Sequence, residues 1–300
     1  MPSEISPASP LHRWLMAARL RTLPAAAAPV LLAIAFAFRD GQFHGPAAIV
    51  CLLIALLLQV GANLANDLFD FKKGTDQPDR LGPTRVTAAG LISPGQMQYG
   101  ITFVFGLAAM LSLYLVWLRG WPVIALGLIL ILSALAYTGG PFPYGYYGLG
   151  EFFVLLTFGF AAVGGTYYAQ TGTVTSTVLW AAIGPGLLIV NILVVNNTRD
   201  RLTDLRAGKR TLAVLLGRKA MDLEFGINLL GAYLIPILFW VTGEKSLGGL
   251  FCWLSFPYAL YLFHTFIRAE GRALNPVLAQ TAQLALIYSV LFALGVGFIG

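Results

Sequence analysis

Apolar residues arrive in long runs along this chain, and the length of the runs matches a lipid bilayer. Each is near or above the roughly 20 residues that a helix needs to cross hydrocarbon. They cover about 11–38, 46–66, 96–118, 121–138, 149–170, 177–197, 224–242, 247–267 and 277–299. The pattern predicts an all-α, polytopic membrane protein with nine transmembrane helices. Pro24, Pro29, Pro185, Pro236 and Pro257 fall inside the runs. In water they would count against helix, but in a membrane bundle neighbouring helices satisfy the backbone groups that proline frees. Residues 11–300 are then a single transmembrane domain behind a flexible tail at 1–10, MPSEISPASP. That tail lacks the basic start, short apolar core and small-residue cleavage site of a removable signal.

Composition agrees with the pattern. The chain is 58% hydrophobic and 11% charged, whereas a soluble domain carries about 25% charged residues, which excludes a water-soluble globule. Cys51 and Cys252 lie in separate runs; they form neither a disulfide framework nor a metal cluster and are expected to pack. His12, His44 and His264 are scattered without ligand spacing. Orientation follows from the basic residues, because Lys and Arg are retained on the cytoplasmic side. With the N-terminus inside, only Arg39, Arg119 and Lys245 of the 19 basic residues face outward. This predicts a multi-pass protein of the cell membrane, its N-terminus and polar loops cytoplasmic and its C-terminus outside. The net charge of +6 is explained by topology and attraction to anionic lipid. The partner it implies is the bilayer, and no nucleic acid is expected.

The acids need another explanation, since Asp and Glu contribute little to orientation. Asp67, Asp70, Asp76 and Asp79 cluster after the second run, and Asp200 and Asp204 after the sixth, on the same membrane face. Acids this close repel unless a cation joins them. Asn196, Asp200 and Asp204 stand at i, i+4 and i+8, which places three oxygen-bearing side chains along one helix face. Asn66 and Asp70 repeat that step, and Gly74 is expected to end the helix, so that Asp76 approaches from a loop and Asp67 points off the shared face. Carboxylate and amide oxygens without His or Cys select a hard cation, and Mg²⁺ characteristically binds through one or two carboxylates together with phosphates. Lys72, Lys73, Arg80 and Arg85 flank the first cluster, and Arg199, Lys209 and Arg210 the second. Metal and cationic side chains can thus hold a diphosphate jointly. One such cluster could be a solvated loop with incidental ion pairs; two, with Asp70 and Asp200 standing 130 positions apart on one face, argue for a site. The interval of four helices also predicts an internal repeat, with helices 1–4 and 5–8 related and the ninth added. A diphosphate site at the mouth of an apolar bundle suits an isoprenyl diphosphate, whose head sits at the interface and whose tail runs among helices.

NLANDLFDFKKGTD at 63–76 and NNTRDRLTDLRAGKRTLAVLLG at 196–217 resemble the paired Asp-rich motifs of the UbiA superfamily of intramembrane prenyltransferases. With ARLRTLPAAAAPVLL at 18–32, GPTRVTAAGLI at 82–92 and YTGGPFPYGYYGLGE at 137–151, the chain is similar to the 1,4-dihydroxy-2-naphthoate prenyltransferases of menaquinone biosynthesis. The similarity spans about residues 13–217, and the last three helices match mainly in hydropathy. It implies nine transmembrane helices around a central cavity and Mg²⁺ as cofactor. The implied reaction moves a polyprenyl group from its diphosphate to an aromatic acceptor. That acceptor is 1,4-dihydroxy-2-naphthoate, which loses CO₂ as diphosphate departs and becomes a demethylmenaquinone.

Carried onto this sequence, Asn66, Asp70, Asp76, Asn196, Asp200 and Asp204 organise the metal, with Asn197 nearby and Asp67 a weaker candidate. Lys73, Arg80, Arg85, Arg199, Lys209 and Arg210 become diphosphate contacts, joined by Arg21. Tyr137, Tyr144, Tyr146 and Tyr147 are expected to shield an allylic cation through their ring faces, the plain alternative being an interfacial aromatic belt. Tyr137 is counted as catalytic with Asn66, Asp70, Asp200 and Asp204. Glu151 either orients acceptor hydroxyls or is a helix N-terminal acid stabilised by the dipole. Acceptors of the 4-hydroxybenzoate, haem or chlorophyllide type are alternatives, against which GKRTLAVLLG and GLGE argue. A transporter would instead need polar groups near the midplane, and a non-catalytic quinone or lipid scaffold would leave the clustered acids without a purpose.

Overall fold

The computed structural model describes residues 9–76, 80–241 and 247–298. Expectations resting on residues 1–8, on Asp79, on Lys245 and on the last two residues lie outside the described residues. Hydrocarbon offers no partner for a backbone N–H or C=O, so spanning segments must satisfy their own. The described residues accordingly contain helices and no strand. The apolar helices are α1 Pro10–Arg39, α2 Gly45–Lys72, α3 Pro94–Arg119, α4 Pro122–Ala136, α5 Gly150–Thr171, α6 Ser176–Arg206, α7 Arg218–Phe239, α8 Leu247–Arg268 and α9 Gly271–Phe298. All but α4 are long enough to cross a membrane; α4, at 15 residues, reaches about 22 Å. Leu113, Trp117 and Trp121 point outward with most of their surface uncovered, as lipid-facing side chains do. This is a multi-pass membrane protein.

Among the described residues, the nine apolar helices fall on the nine predicted runs, but two of them outlast their runs. α2 continues to Lys72 and α6 to Arg206, so the polar segments form their final turns. Side-chain chemistry sets other boundaries. Ser93 and Gln96 close a capping box at the start of α3, satisfying orphan N–H groups reciprocally, and Thr175 caps α6 by accepting from the Val178 N–H. Gly74 takes φ 67° just beyond α2, a left-handed conformation that ends helices. α1 breaks at Arg19, whose φ of 50° is positive, passes through a short 3-10 stretch at Leu20–Thr22 and restarts at Leu23. Pro24 sits in that new first turn, where its missing N–H leaves nothing unsatisfied.

Packing divides the molecule into a filled side and a hollow side. α6 is the most deeply buried span, and α7 and α9 lie against it, α9 also running along α1 and α8. Phe36, Tyr233, Tyr288 and Phe292 fill the space between them. Tyr233 and Tyr288 meet edge to face at 5.3 Å, a favoured ring geometry. Their hydroxyls are satisfied: Tyr288 donates to the Ala232 carbonyl at 2.7 Å and Tyr233 pairs with Ser255 Oγ at 2.6 Å. On the other side, α1 to α5 enclose an apolar cavity of about 470 Å³. Leu155–Ala161 of α5 winds as a π-helix beside it, the kind of local widening that recurs at functional sites.

The filled side depends on small residues where backbones touch. A Cβ on Gly295 of α9 would strike the carbonyl oxygen of Gly248 in α8. Gly295→Val is therefore expected to cost about 1–3 kcal/mol through overpacking, measured as a lower thermal midpoint in detergent. An unchanged midpoint would mean that the two helices do not approach this closely.

Candidate active site

Helical spacing brings Asn66 and Asp70 to the end of α2 and Asn196, Asp200 and Asp204 to the end of α6, and the fold sets these two faces across one small polar hollow. Two cations tie the faces together. Lys209 Nζ lies 3.2 Å from Asp70 Oδ1 and 3.7 Å from Asp204 Oδ1. Arg80 Nη1 lies 2.7 Å from Asp76 Oδ1, and its Nη2 lies 3.8 Å from Asp200 Oδ2. Arg85 Nη2 donates to Asp70 Oδ2 at 2.8 Å, with its Nε 3.4 Å from Asp76 Oδ1. Asp70, Asp76, Asp200 and Asp204 thus face Arg80, Arg85, Arg199 and Lys209, four charges of each sign. Burial, reinforced by the nearby Asp70 carboxylate, pushes the Asp76 carboxyl up to about 6, Arg80 opposing the rise.

The loop after α2 carries Arg80 and Arg85, and Asp67 holds that loop in place. Its carboxylate accepts the backbone N–H groups of Val86 at 3.1 Å and Thr87 at 3.0 Å, so its role is structural and it points away from the Asn66 and Asp70 face. The loop then passes tightly under the second cluster: a Cβ on Gly82 would come within 2.7 Å of the Arg199 guanidinium.

Orphaned groups show what the hollow lacks. Asn66 Oδ1 and Asp76 Oδ2 are buried acceptors without a hydrogen-bond partner, while Arg80 Nε and Arg85 Nη1 are buried donors without one. Buried polar groups are normally satisfied, so the hollow offers acceptors to a cation and donors to an anion. Among the described residues no group of three or more His, Cys, Asp or Glu is arranged to hold a metal ion alone. Mg²⁺ keeps few carboxylates and completes its shell with phosphate oxygens and water. The all-oxygen donor set fits the same ion.

Several predicted residues take other positions. Arg199 was expected on the diphosphate, but four of its five N–H donors are engaged within the protein: Nε and Nη2 on Asp200 at 2.8 and 2.6 Å, Nη2 on Asn196 Oδ1 at 2.8 Å and Nη1 on Asn275 Oδ1 at 2.9 Å. It orients the second cluster. Arg210 is exposed and contributes its backbone N–H to the Tyr146 carbonyl at 2.8 Å. Arg21 is exposed too. Lys73 stands at the rim with Nζ 4.6 Å from the Tyr146 ring. Tyr146 belongs to the polar hollow, because its hydroxyl donates to Asp70 Oδ1 at 2.6 Å; burial and that carboxylate raise its pKa well above the usual phenol value. Tyr147 is half-exposed and stacks on Phe142 at 4.7 Å, away from the site. Tyr137 lines both the hollow and the apolar cavity, and Tyr144 lines the cavity. Glu151 lines neither; it is buried in the first turn of α5 and accepts from Asn197 Nδ2 at 2.9 Å.

Asn275 went unnoticed in the sequence. Its one amide accepts from Arg199 and donates to the Leu81 carbonyl at 3.0 Å, linking α9, α6 and the loop. Thr138 and Thr211 also line the hollow. An amide in the first turns of the last span, close to Arg272, was the available signal.

A buried oxygen and guanidinium hollow that shares Asn66 and Tyr137 with the wall of an apolar chamber in a helical bundle defines an intramembrane site for an amphiphile with an anionic head. The family model described as the UbiA prenyltransferase family matches residues 26–296, and the chain belongs to that family. Proteins named 1,4-dihydroxy-2-naphthoate octaprenyltransferase are similar throughout. That of Haemophilus influenzae is 35% identical over 95% of this chain and 96% of its own length. That of Mycobacterium tuberculosis is 36% identical over 95% and 97%. Among solved structures, a UbiA homolog from Archaeoglobus fulgidus bound to GPP and Mg²⁺ superposes with a TM-score of 0.65 at 18% identity, covering 94% of this chain and 98% of that one. The apo structure of a UbiA homolog from Aeropyrum pernix K1 gives 0.68 at 14% identity, covering 87% and 94%. At these identities the likeness concerns the fold.

The clamp on the loop is open to test. Asp67→Ala leaves two buried N–H groups unpaired at about 1–3 kcal/mol each. The expected outcome is a lower thermal midpoint with new proteolytic cleavage within 80–92, and an unaltered midpoint and cleavage pattern would contradict the clamp.

Proposed function

We propose that this protein transfers a polyprenyl group from its diphosphate to 1,4-dihydroxy-2-naphthoate, releasing CO₂ and diphosphate and forming the prenylated 1,4-diol, a demethylmenaquinol, whose oxidation to the demethylmenaquinone is a separate step. The observation that carries the reaction is the junction at Asn66 and Tyr137, where the charged hollow meets the apolar cavity. The acceptor is supported by the relatives that bear its name and align with nearly the whole chain. The positive-inside distribution of Lys and Arg supports a cytoplasmic hollow.

Asn66, Asp70, Asp76, Asn196, Asp200 and Asp204 would hold Mg²⁺, which when bound neutralises the charge that builds on a departing diphosphate. Arg80 Nε and Arg85 Nη1, the donors without partners, bind diphosphate oxygens. Lys209 follows the charge between Asp70 and Asp204, and Lys73 waits at the rim. As the allylic C–O bond breaks, its electron pair leaves with the diphosphate, and these fixed cations stabilise the developing charge without reorganising. The allylic cation left at the junction meets the faces of Tyr137 and Tyr144, while the cavity walls keep water away. The acceptor's carboxylate-bearing carbon then forms the new C–C bond. The bond to the carboxylate breaks, CO₂ departs, and the electron pair returns to the ring.

Replacing either face of the hollow is decisive. Asp70→Ala and Asp200→Ala are each expected to abolish product while the protein still inserts and folds in membranes, and near-normal turnover in either would refute the assignment. EDTA is expected to stop transfer and added Mg²⁺ to restore it, in an assay with polyprenyl diphosphate and 1,4-dihydroxy-2-naphthoate that identifies the lipid product. Activity persisting without divalent metal would remove the ion from the site.

A further inference from the structure

One wall of the apolar cavity is polar. Gln59, Asn63 and Asn66 stand at i, i+4 and i+7 on α2, sharing a helix face, and all three line the cavity. Opposite them, the break in α1 presents Thr22. Its hydroxyl donates to the Arg19 carbonyl at 3.0 Å, which spends its single hydrogen. Thr22 Oγ1 can therefore only accept, and it does so from Gln59 Nε2 at 3.0 Å and Asn63 Nδ2 at 2.9 Å. This settles which way the Gln59 amide lies: nitrogen toward Thr22, carbonyl oxygen away from it. That oxygen, Oε1, is buried and has no hydrogen-bond partner. An unmet acceptor costs about 1–3 kcal/mol, and a polar side chain within a spanning helix points to a bound group. A polyprenyl chain has no donor to offer, whereas a phenolic hydroxyl does.

Depth indicates which hydroxyl. Gln59 precedes Asn66 by seven residues, about 10 Å further from the charged hollow along the helix. The reacting carbon must lie near the junction at Asn66 and Tyr137, so the remote part of the acceptor ring reaches toward Gln59. The wall formed by Val116 of α3 and Leu126 and Leu130 of α4 is apolar and is left for the prenyl chain. Resting on the reading of this protein as a 1,4-dihydroxy-2-naphthoate prenyltransferase, we propose that Gln59 determines acceptor specificity. Its Oε1 accepts a hydrogen bond from the ring hydroxyl farther from the carboxylate-bearing carbon.

The analogue 1-hydroxy-2-naphthoate lacks that hydroxyl, and it separates this role from a structural one. With the unaltered protein its competitive inhibition constant should exceed the acceptor KM by about tenfold, the worth of one neutral hydrogen bond. Gln59→Met should raise the acceptor KM by about the same factor while leaving the analogue's inhibition constant and the KM for polyprenyl diphosphate unchanged. Thr22→Val removes the partner of Nε2 but spares Oε1, and should preserve the native ratio of the two naphthoates. Equal binding of both naphthoates by the unaltered protein overturns the proposal. So does a parallel change of both constants, or of neither, in Gln59→Met. Failure of the unaltered protein to prenylate any aromatic diol would instead remove the functional reading on which the proposal rests.

Discussion

Four carboxylates kept from water at one end of a membrane bundle are the constraint that organises this protein. An ion withdrawn from water carries a penalty of several kcal/mol unless partners and hydrogen bonds offset it. Asp70, Asp76, Asp200 and Asp204 are met by Arg80, Arg85, Arg199 and Lys209. Those cations come from different parts of the chain. The loop after α2 has to fold back over the hollow, which the Asp67 clamp on Val86 and Thr87 secures. The segment after α6 has to turn inward to place Lys209, which the Arg210 N–H on the Tyr146 carbonyl secures. A divalent ion bound together with a diphosphate would bring charges of opposite sign, so the net charge added to the hollow would be smaller than either brings alone.

The unequal packing serves the same site. Aromatic rings and a glycine contact make α6, α8 and α9 a filled wall, and the rigid end of α6 carries Asp200 and Asp204. The hollow side, α1 to α5, has room for long apolar groups. Asn275 couples the two, because its amide reaches both Arg199 on the filled side and Leu81 in the loop.

Much of this was legible from residue order. Runs of apolar residues located nine apolar helices among the described residues, eight of them as long as hydrocarbon thickness requires. Their ends were less accurate: Asp70 and Asp204 lie on helix that hydropathy reads as loop, because polarity and helicity are separate properties. The i, i+4 spacing correctly put Asn66 with Asp70 and Asn196 with Asp200 and Asp204. Adjacency in sequence does not show that Arg199 is engaged by Asp200, Asn196 and Asn275, that Arg210 is exposed, or that Tyr146 and Tyr147 turn to different sides. Whether a guanidinium has donors to spare, or which way a ring turns within YGYY, depends on neighbours that arrive from other helices.

The sequence by itself determined the solvent, the number of helices, the two acidic faces and the oxygen-rich chemistry that calls for a hard cation and a phosphate. These rest on composition and on periodicities of a few residues, which are local properties. Tertiary structure alone decided that the faces meet, that Lys209 and Arg80 join them, that Tyr137 stands between charged hollow and apolar cavity, and that Gln59 is left with an unmatched oxygen. Each of those is a distance between segments far apart in the chain, set by how whole helices pack.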